Sequence, residues 1–311
     1  MRKSALLIPL VFIWASHSHA QTLVGHWKLD EGAGGTTADS SGNGNTGTLL
    51  GGTSWINSGL APVPSGTSAA LSFDGVDGRV DTTYAGIGGS NPHTVSGWVR
   101  TTQDGNGIVA WGDSTTNGAK FHIRPNNNAG NGTEGALRAE VQGGYIIGDD
   151  IITDGQWHHF AVLSDGSAVE NVRIFVDGRL QGISGVNPEP INLDNAASPV
   201  SIGARLQAGS WDYLDGDVDE VRIYDNQLSF AGVGQLAGTT PTGTVDFNAA
   251  LDTTPNNTWE ESNGITALDG TVGAGVSQQS VNSGTAIESA YEFTGGGGVE
   301  FGTHFQNVLG N

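Results

Sequence analysis

No cysteine occurs in the 311 residues. Disulfides, thiolate metal sites and a cysteine nucleophile are therefore excluded. Stability has to come from burial, hydrogen bonds or a metal held by harder ligands. Cations are also scarce: 12 Lys and Arg stand against 32 Asp and Glu, a formal charge of −20. Two of the twelve, Arg2 and Lys3, sit at the extreme N-terminus, so the rest of the chain is more acidic still. A surface of that sign repels nucleic acid and anionic membranes. It is compatible with calcium, with high salt and with neutral glycans, and on the plainest reading it only confers solubility. Beyond the first twenty residues there is no apolar run long enough to span a bilayer. No stretch carries the 3.6-residue periodicity of a three-turn helix; LSFAGVGQLAG (228–238) offers a single helical turn.

The N-terminus, MRKSALLIPLVFIWASHSHA, has a basic start, an apolar stretch from Ala5 to Ala15 and small residues at Ser18 and Ala20. That is the pattern of a secretory signal peptide cut near Ala20, too short for a membrane anchor, and it predicts an exported protein at or beyond the cell surface. Glycine is abundant, 50 residues, well above the usual ~7%. Together with Asn, Asp, Ser and Thr it punctuates short alternating runs such as TVSGWVR, KFHIR, ALRAEV, WHHFAVL, VRIFVDG and DEVRIYD. Many short strands joined by tight turns make an all-β antiparallel sandwich or barrel, and at this length a jelly roll.

Two histidines adjoin in DGQWHHFAVL (154–163). Successive strand residues point to opposite faces, so Trp157, His159, Ala161 and Leu163 share one face and His158, Phe160 and Val162 the other. Side chains on opposite faces do not chelate one metal, and these imidazoles are expected to be hydrogen-bonded parts of the core. Three other strands have one polar face. TVSGWVR puts Trp98 and Arg100 on one side. AKFHIRP does the same for Lys120, His122 and Arg124, and ALRAEVQ for Arg138, Glu140 and Gln142. As neighbours in one sheet, these strands would present Trp98, Arg100, His122, Arg124, Arg138, Glu140 and Gln142 on a single surface. A sugar ring stacks on Trp while planar polar groups bond its hydroxyls. The competing reading is a solvated face of paired charges, normal for antiparallel sheets. Exposure of Trp98 separates the two, since a purely structural module would bury it.

Seven segments in order resemble a known family: LVGHWKLDEGAGGTTADSSGNGNTGTL (23–49), ALSFDGVDGRVDT (70–82), TVSGWVRT (94–101), DGQWHHFAVL (154–163), IFVDGRL (174–180), SIGAR (201–205) and LDGDVDEVRIYDNQLS (214–229). They are similar to the laminin-G-like, concanavalin A-like jelly roll domain of secreted bacterial proteins, and the likeness covers residues 21–237. The resemblance implies two antiparallel sheets in a curved sandwich. It also implies a carbohydrate-binding or adhesion role, with glycan, polysaccharide or extracellular protein as partner and often a structural calcium. Hard oxygen ligands are plentiful in the turns, at Asp74 and Asp77 and at Asp215, Asp217 and Asp219. The resemblance implies a site in which Asp219 joins the Asp74–Gly75 turn and the Asp30 region. The plainer reading of Asp74, Asp77 and Asp215 is turn chemistry through their own side chains, and DSSGNGN (39–45) reads the same way.

Residues 238–243 read as a linker. Beyond them AYEFTGG (290–296) echoes ALSFDGV (70–76), and Leu251-Asp252 echoes Leu29-Asp30. The segment 244–311 is thus expected to begin a second, divergent copy of the domain, the alternative being an unrelated Gly/Ser/Thr-rich tail. Glycoside hydrolases and polysaccharide lyases share the resembled fold, but a glycosidase needs two carboxyl groups about 5–10 Å apart and the polar face has only Glu140. His122, Arg124, Gln142 and Tyr145 supply lyase-type residues without a recognisable motif. The expectation is a secreted recognition module without catalytic activity; a structural or adhesive module without a specific sugar is the alternative.

Overall fold

A computed structural model describes residues 22–207 and 209–239, and the backbone of four short strands beyond them. The expected signal peptide, residues 240–243 of the expected 238–243 linker and most of the proposed second copy lie outside the described residues.

The strands in chain order are β1 (Leu23–Trp27), β2 (Thr36–Thr37), β3 (Gly47–Leu50), β4 (Thr53–Ile56), β5 (Ala70–Asp74), β6 (Arg79–Thr82), β7 (His93–Thr101), β8 (Val109–Gly112), β9 (Lys120–Pro125) and β10 (Ala136–Val141). They continue as β11 (Gly144–Ile151), β12 (His158–Ser164), β13 (Arg173–Val176), β14 (Arg179–Leu180), β15 (Gly185–Asn187), β16 (Ser201–Ile202), β17 (Ala204–Gln207), β18 (Ser210–Tyr213) and β19 (Asp215–Tyr224). One helix follows, α1 (Phe230–Ala237).

Two antiparallel sheets result. The β7 sheet runs β14-β13-β12-β7-β19-β5-β4, with β1 also paired to β19. The β9 sheet runs β15-β11-β10-β9-β8-β16-β6-β3-β2. The chain crosses between the sheets at several points, such as β5 to β6, β7 to β8 and β11 to β12, while β8 to β11 and β12 to β14 follow one another within a sheet, as in a jelly roll. The expected architecture is thus observed. Alternation puts Val95, Val99, Phe160, Val162, Phe121 and Ile123 between the sheets, all fully buried. This apolar interlayer is the main favourable term for a chain with no covalent cross-links.

The helix is longer than its sequence implied: two turns rather than one. Ser229 caps its start, its hydroxyl accepting from the Gly232 N–H at 3.1 Å, and Gly238 ends it in the left-handed conformation at φ 71°. Its apolar side, with Val233 and Phe230, covers Ala161, Leu163 and Phe175 on the outer face of the β7 sheet. Farther on, Ser289–Phe293 forms a strand that pairs antiparallel with Val276–Ser280, and it contains the Ala290–Phe293 echo of β5.

Candidate functional site

The two outer faces of the sandwich hold the residues singled out from the sequence. The structure divides them. Strands β9 and β10 are neighbours, with Glu140 opposite His122 and Arg138 opposite Arg124. Strand β7 lies in the other sheet, between β12 and β19. The expected single surface is therefore corrected: Trp98 and Arg100 are on the far side of the molecule from His122, Arg124, Arg138, Glu140 and Gln142. Alternation reveals which residues share a face of one strand, but not which strands share a sheet.

On the outer face of the β9 sheet, one carboxylate organises the cluster. Glu140 Oε2 accepts from Arg138 at 2.9 Å and from Arg124 at 3.1 Å. Its Oε1 faces Lys120 Nζ at 3.4 Å, Arg205 Nη1 at 3.5 Å and His122 Nδ1 at 3.8 Å. Burial works against the Glu140 charge, but His122, Arg124 and Arg138 overcome it and hold the carboxyl well below the usual range. Burial pushes the His122 imidazole well below its ordinary value, with the Arg205 charge adding to the effect. Arg124 also donates to Asn127 Oδ1 at 2.9 Å, and Arg138 lies over the Tyr145 ring at 3.9 Å. Gln142, half-buried, continues the row past the end of β10.

Strands β17 and β18 form a two-stranded hairpin beside this face. It delivers Arg205, which Asp212 holds at 2.9 Å, and Trp211, over which Arg79 stacks at 4.6 Å. Sequence reasoning missed Arg205, Asp212 and Trp211 as site residues. Arg205 ends the SIGAR segment, but nothing local says that the hairpin folds towards β9.

The outer face of the β7 sheet is sealed. Trp98 is only 3% exposed and packs with Ala61, Val63 and Trp157 beneath a strap formed by residues 57–69. Arg100 pairs with Asp217 at 2.7 Å. Its guanidinium and the Trp157 indole both donate to the Gly59 carbonyl, at 2.8 and 2.7 Å, fixing the strap. Trp98 is therefore no stacking platform, and Arg100 belongs to a structural clamp.

Three buried residues stand side by side here, for β7 pairs Trp98 with His159 on one side and Asp219 on the other. His159 meets the Trp98 ring edge-on at 5.3 Å. Neither imidazole nitrogen of His159 nor Trp98 Nε1 has a hydrogen-bond partner, and no donor reaches either carboxylate oxygen of Asp219 in well-formed hydrogen-bond geometry. The expectation of hydrogen-bonded imidazoles thus holds for His158, which pairs with Asp177 at 2.8 Å and Asp154 at 3.1 Å, and fails for His159. Burial pushes the Asp219 carboxyl up to about 8, the Thr67 hydroxyl opposing and the charges of Glu220 and Asp30 adding. Thr67 links the two acids: its hydroxyl lies 2.6 Å from Asp30 Oδ1, which also accepts from the Ser68 N–H at 2.8 Å.

The backbone is strained on both sides of this pair. Leu29, before Asp30, has φ 57° and Glu220, after Asp219, has φ 54°. Left-handed non-glycine residues cost free energy that the surroundings must supply. At Glu220 the strain accompanies a bulge between β19 and β7, which sends the Glu220 carboxylate to His26 at 2.6 Å and to Arg222.

The expected metal set is divided as well. Asp74 pairs with Asp215, four residues before Asp219, roughly 13 Å along the strand at ~3.3 Å per residue. Its Oδ1 is taken up by its own turn, accepting from the Val76, Asp77 and Gly78 amides at 2.9, 3.2 and 3.1 Å. The Gly75 N–H donates to the Leu214 carbonyl at 2.9 Å. Asp74 and Gly75 therefore close a turn and stand apart from Asp30 and Asp219. Among the described residues, no group of three or more His, Cys, Asp and Glu is placed to hold a metal ion, so any ion here would also need hydroxyl and carbonyl oxygens. The DSSGNGN segment is a turn as expected, Asp39 accepting from the Ser41 and Asn45 amides.

Comparison with known proteins agrees with this architecture. The chain belongs to the concanavalin A-like lectin/glucanases superfamily, in its laminin-G-like branch, whose family profile matches residues 74–234. Among solved structures it is similar to domain 4 of AbnA, a GH43 extracellular arabinanase from Geobacillus stearothermophilus, determined with arabinotriose. Identity there is 20%, over 70% of this chain and 98% of that one, with a TM-score of 0.51. A more distant likeness is to the botulinum neurotoxin serotype D/C binding domain, at 13% identity over 70% of this chain and 52% of that one, with a TM-score of 0.46. No curated protein sequence matches. Among the described residues no helix is long and apolar enough to cross a membrane.

Proposed function

We propose that this is a secreted, non-catalytic recognition module that binds carbohydrate through the outer face of the β9 sheet. The observation that carries this reading is the gathering of Arg124, Arg138, His122, Gln142 and Tyr145 around one carboxylate on one face. Gln142 and Tyr145, the half-buried members of this face, offer a sugar an amide and an aromatic ring, backed by the buried Arg124 and Arg138 guanidinium groups. The arabinanase domain of this fold was determined with arabinotriose, and a saccharide is the ligand class proposed here too. Glu140 argues against hydrolysis: a general acid must be protonated near working pH, whereas its cationic neighbours keep this carboxyl ionised.

A structural calcium belongs to the same proposal, on the opposite face. A buried carboxylate without a well-formed hydrogen bond is costly, and Asp219 is one, beside Asp30 and the Thr67 hydroxyl. Oxygen ligands of this kind fit calcium. Asp219 and Asp30 would hold the ion, which would supply the missing positive charge and tie the strap to β19.

The burial of Trp98 favours a second reading, an adhesive or structural module in which the Glu140 cluster is only an internal ionic network. Polysaccharide arrays probed with the full chain, in calcium and in EDTA, separate the two. Saturable binding that drops at least tenfold in Arg124→Gln and persists in Trp98→Phe supports recognition at the β9 sheet. Absence of binding to every polysaccharide in both buffers supports the second reading.

A further inference from the structure

Two aromatic rings on the outer side of the β9 sheet are mounted in the same way. Tyr145 lies under the Arg138 guanidinium at 3.9 Å, and Glu140 holds that guanidinium at 2.9 Å. Trp211 lies under the Arg79 guanidinium at 4.6 Å, and Asp81 holds that one at 2.9 Å, with the Tyr213 hydroxyl also bonded to it. In each case an ion-paired guanidinium fixes the ring by a cation–π contact. Both rings are half-buried and so keep part of their surface in solvent. Arg100 stacks on Trp157 on the other face too, at 5.0 Å, but there the strap's Gly59 carbonyl takes the indole N–H. Among the described residues neither the Tyr145 hydroxyl nor the Trp211 indole N–H is tied down in this way.

Strand register connects the two stacks. Asp81 pairs with Ser201, Ser201 with Ala110, Ala110 with His122, His122 with Glu140 and Glu140 with Tyr145. This unbroken row crosses six strands, from β6 to β11. Its ends are five strand spacings of about 4.8 Å apart, roughly 24 Å along the sheet. The hairpin stands over the middle of the row. There Arg205 faces Glu140 and His122 and pairs with Asp212, the neighbour of Trp211 in the chain. A ligand that reaches both rings therefore passes planar charged groups able to bond its hydroxyls.

We infer that the ligand is an extended saccharide chain of several units, laid across the strands with Tyr145 and Trp211 as two separate stacking platforms; this rests on the recognition reading above. Each ring suits one sugar face, and rings already fixed in place cost little ordering on binding. A disaccharide covers one platform only. A chain long enough for both makes its second contact intramolecularly, so affinity rises with length until the span is bridged and then levels off.

The test uses the full chain with cellulose, xylan, arabinan and galactan, and with oligosaccharides of two to eight units from each. The probes are neutral, in keeping with a chain of net charge −20. Within the series that binds, affinity at least tenfold higher for the longest member than for the dimer supports the inference. Equal affinity for dimer and octamer overturns it while leaving sugar recognition standing. Binding to none of the polysaccharides or oligosaccharides overturns both. Tyr145→Ala and Trp211→Ala are each expected to lower affinity for the longest member at least tenfold and to flatten the dependence on length. A folded Trp211→Ala that keeps the full dependence on length overturns the placement of the second platform. Should that variant fail to fold, the length series of the natural chain still decides whether the ligand spans more than one platform.

Discussion

The two outer faces of this sandwich solve the same problem differently. Each carries buried polar side chains. On the β7 sheet they lie beneath the 57–69 strap, and at the Asp219 carboxylate burial outweighs the Thr67 hydroxyl and the Glu220 N–H beside it. On the β9 sheet the buried carboxylate is surrounded by guanidinium groups. Burial dominates at Asp219 and pushes its carboxyl up, whereas cations dominate at Glu140 and hold its carboxyl down. The contrast shows that polarity alone does not mark a binding surface; how each buried charge is compensated decides what its face can do.

The largest way to break the comparison is Glu140→Gln. Removing the anion takes the paired charge from the Arg124 and Arg138 guanidinium groups, and loss of one partner of a buried pair costs about 3–5 kcal/mol. Denaturant unfolding should show that loss. On the sealed face, Trp98→Ala should cost about 3 kcal/mol through the cavity it leaves, with affinity per folded molecule unchanged. A parallel fall in affinity would mean that Trp98 takes part in binding after all.

Calcium should distinguish the faces next. An ion at 100 times its Kd stabilises by about 2.7 kcal/mol, so the unfolding midpoint of the natural chain should rise with calcium and fall in EDTA. Asp219→Asn should abolish the response, while Asp74→Ala should keep it, since Asp74 only closes its own turn. A response lost in Asp74→Ala would restore the Asp74 turn to the metal site.

The smallest effect concerns acid. Burial pushes the His159 imidazole down to about 3, whereas in the unfolded chain it protonates near ~6.5. Between those values the unfolded state holds the extra proton, so stability is lost as pH falls through this window and is fully present above it. His93, buried edge-on against Trp111 and Phe121 and pushed down to about 4, acts in the same direction. His159→Phe should flatten the acid slope without removing it. An unchanged slope would show that His159 does not carry the effect.

Much of the fold was legible in the sequence. Period-two alternation and glycine-rich turns announced the strands, and Phe160, Val162, Phe121 and Ile123 fall in the interlayer as their positions implied. The site was legible by halves. Arg124, Arg138 and Glu140 were found together because β9 and β10 adjoin in sequence and pair in space. Trp98 was misplaced because its sheet partners, β12 and β19, are remote in the chain. Arg205 was missed because a tertiary contact, not a local pattern, brings its hairpin to β9. Asp219 was seen, but the register that separates it from Asp74 depends on β5 and β19 pairing across more than a hundred residues.

Hydrogen exchange of the full chain, with and without a bound polysaccharide, tests the central claim most directly. The account predicts new protection in 120–125, 136–142 and the 204–213 hairpin, with 57–69 and 93–101 unchanged. Protection gained at the strap and β7 instead would contradict it and move the binding surface to the opposite face of the sandwich.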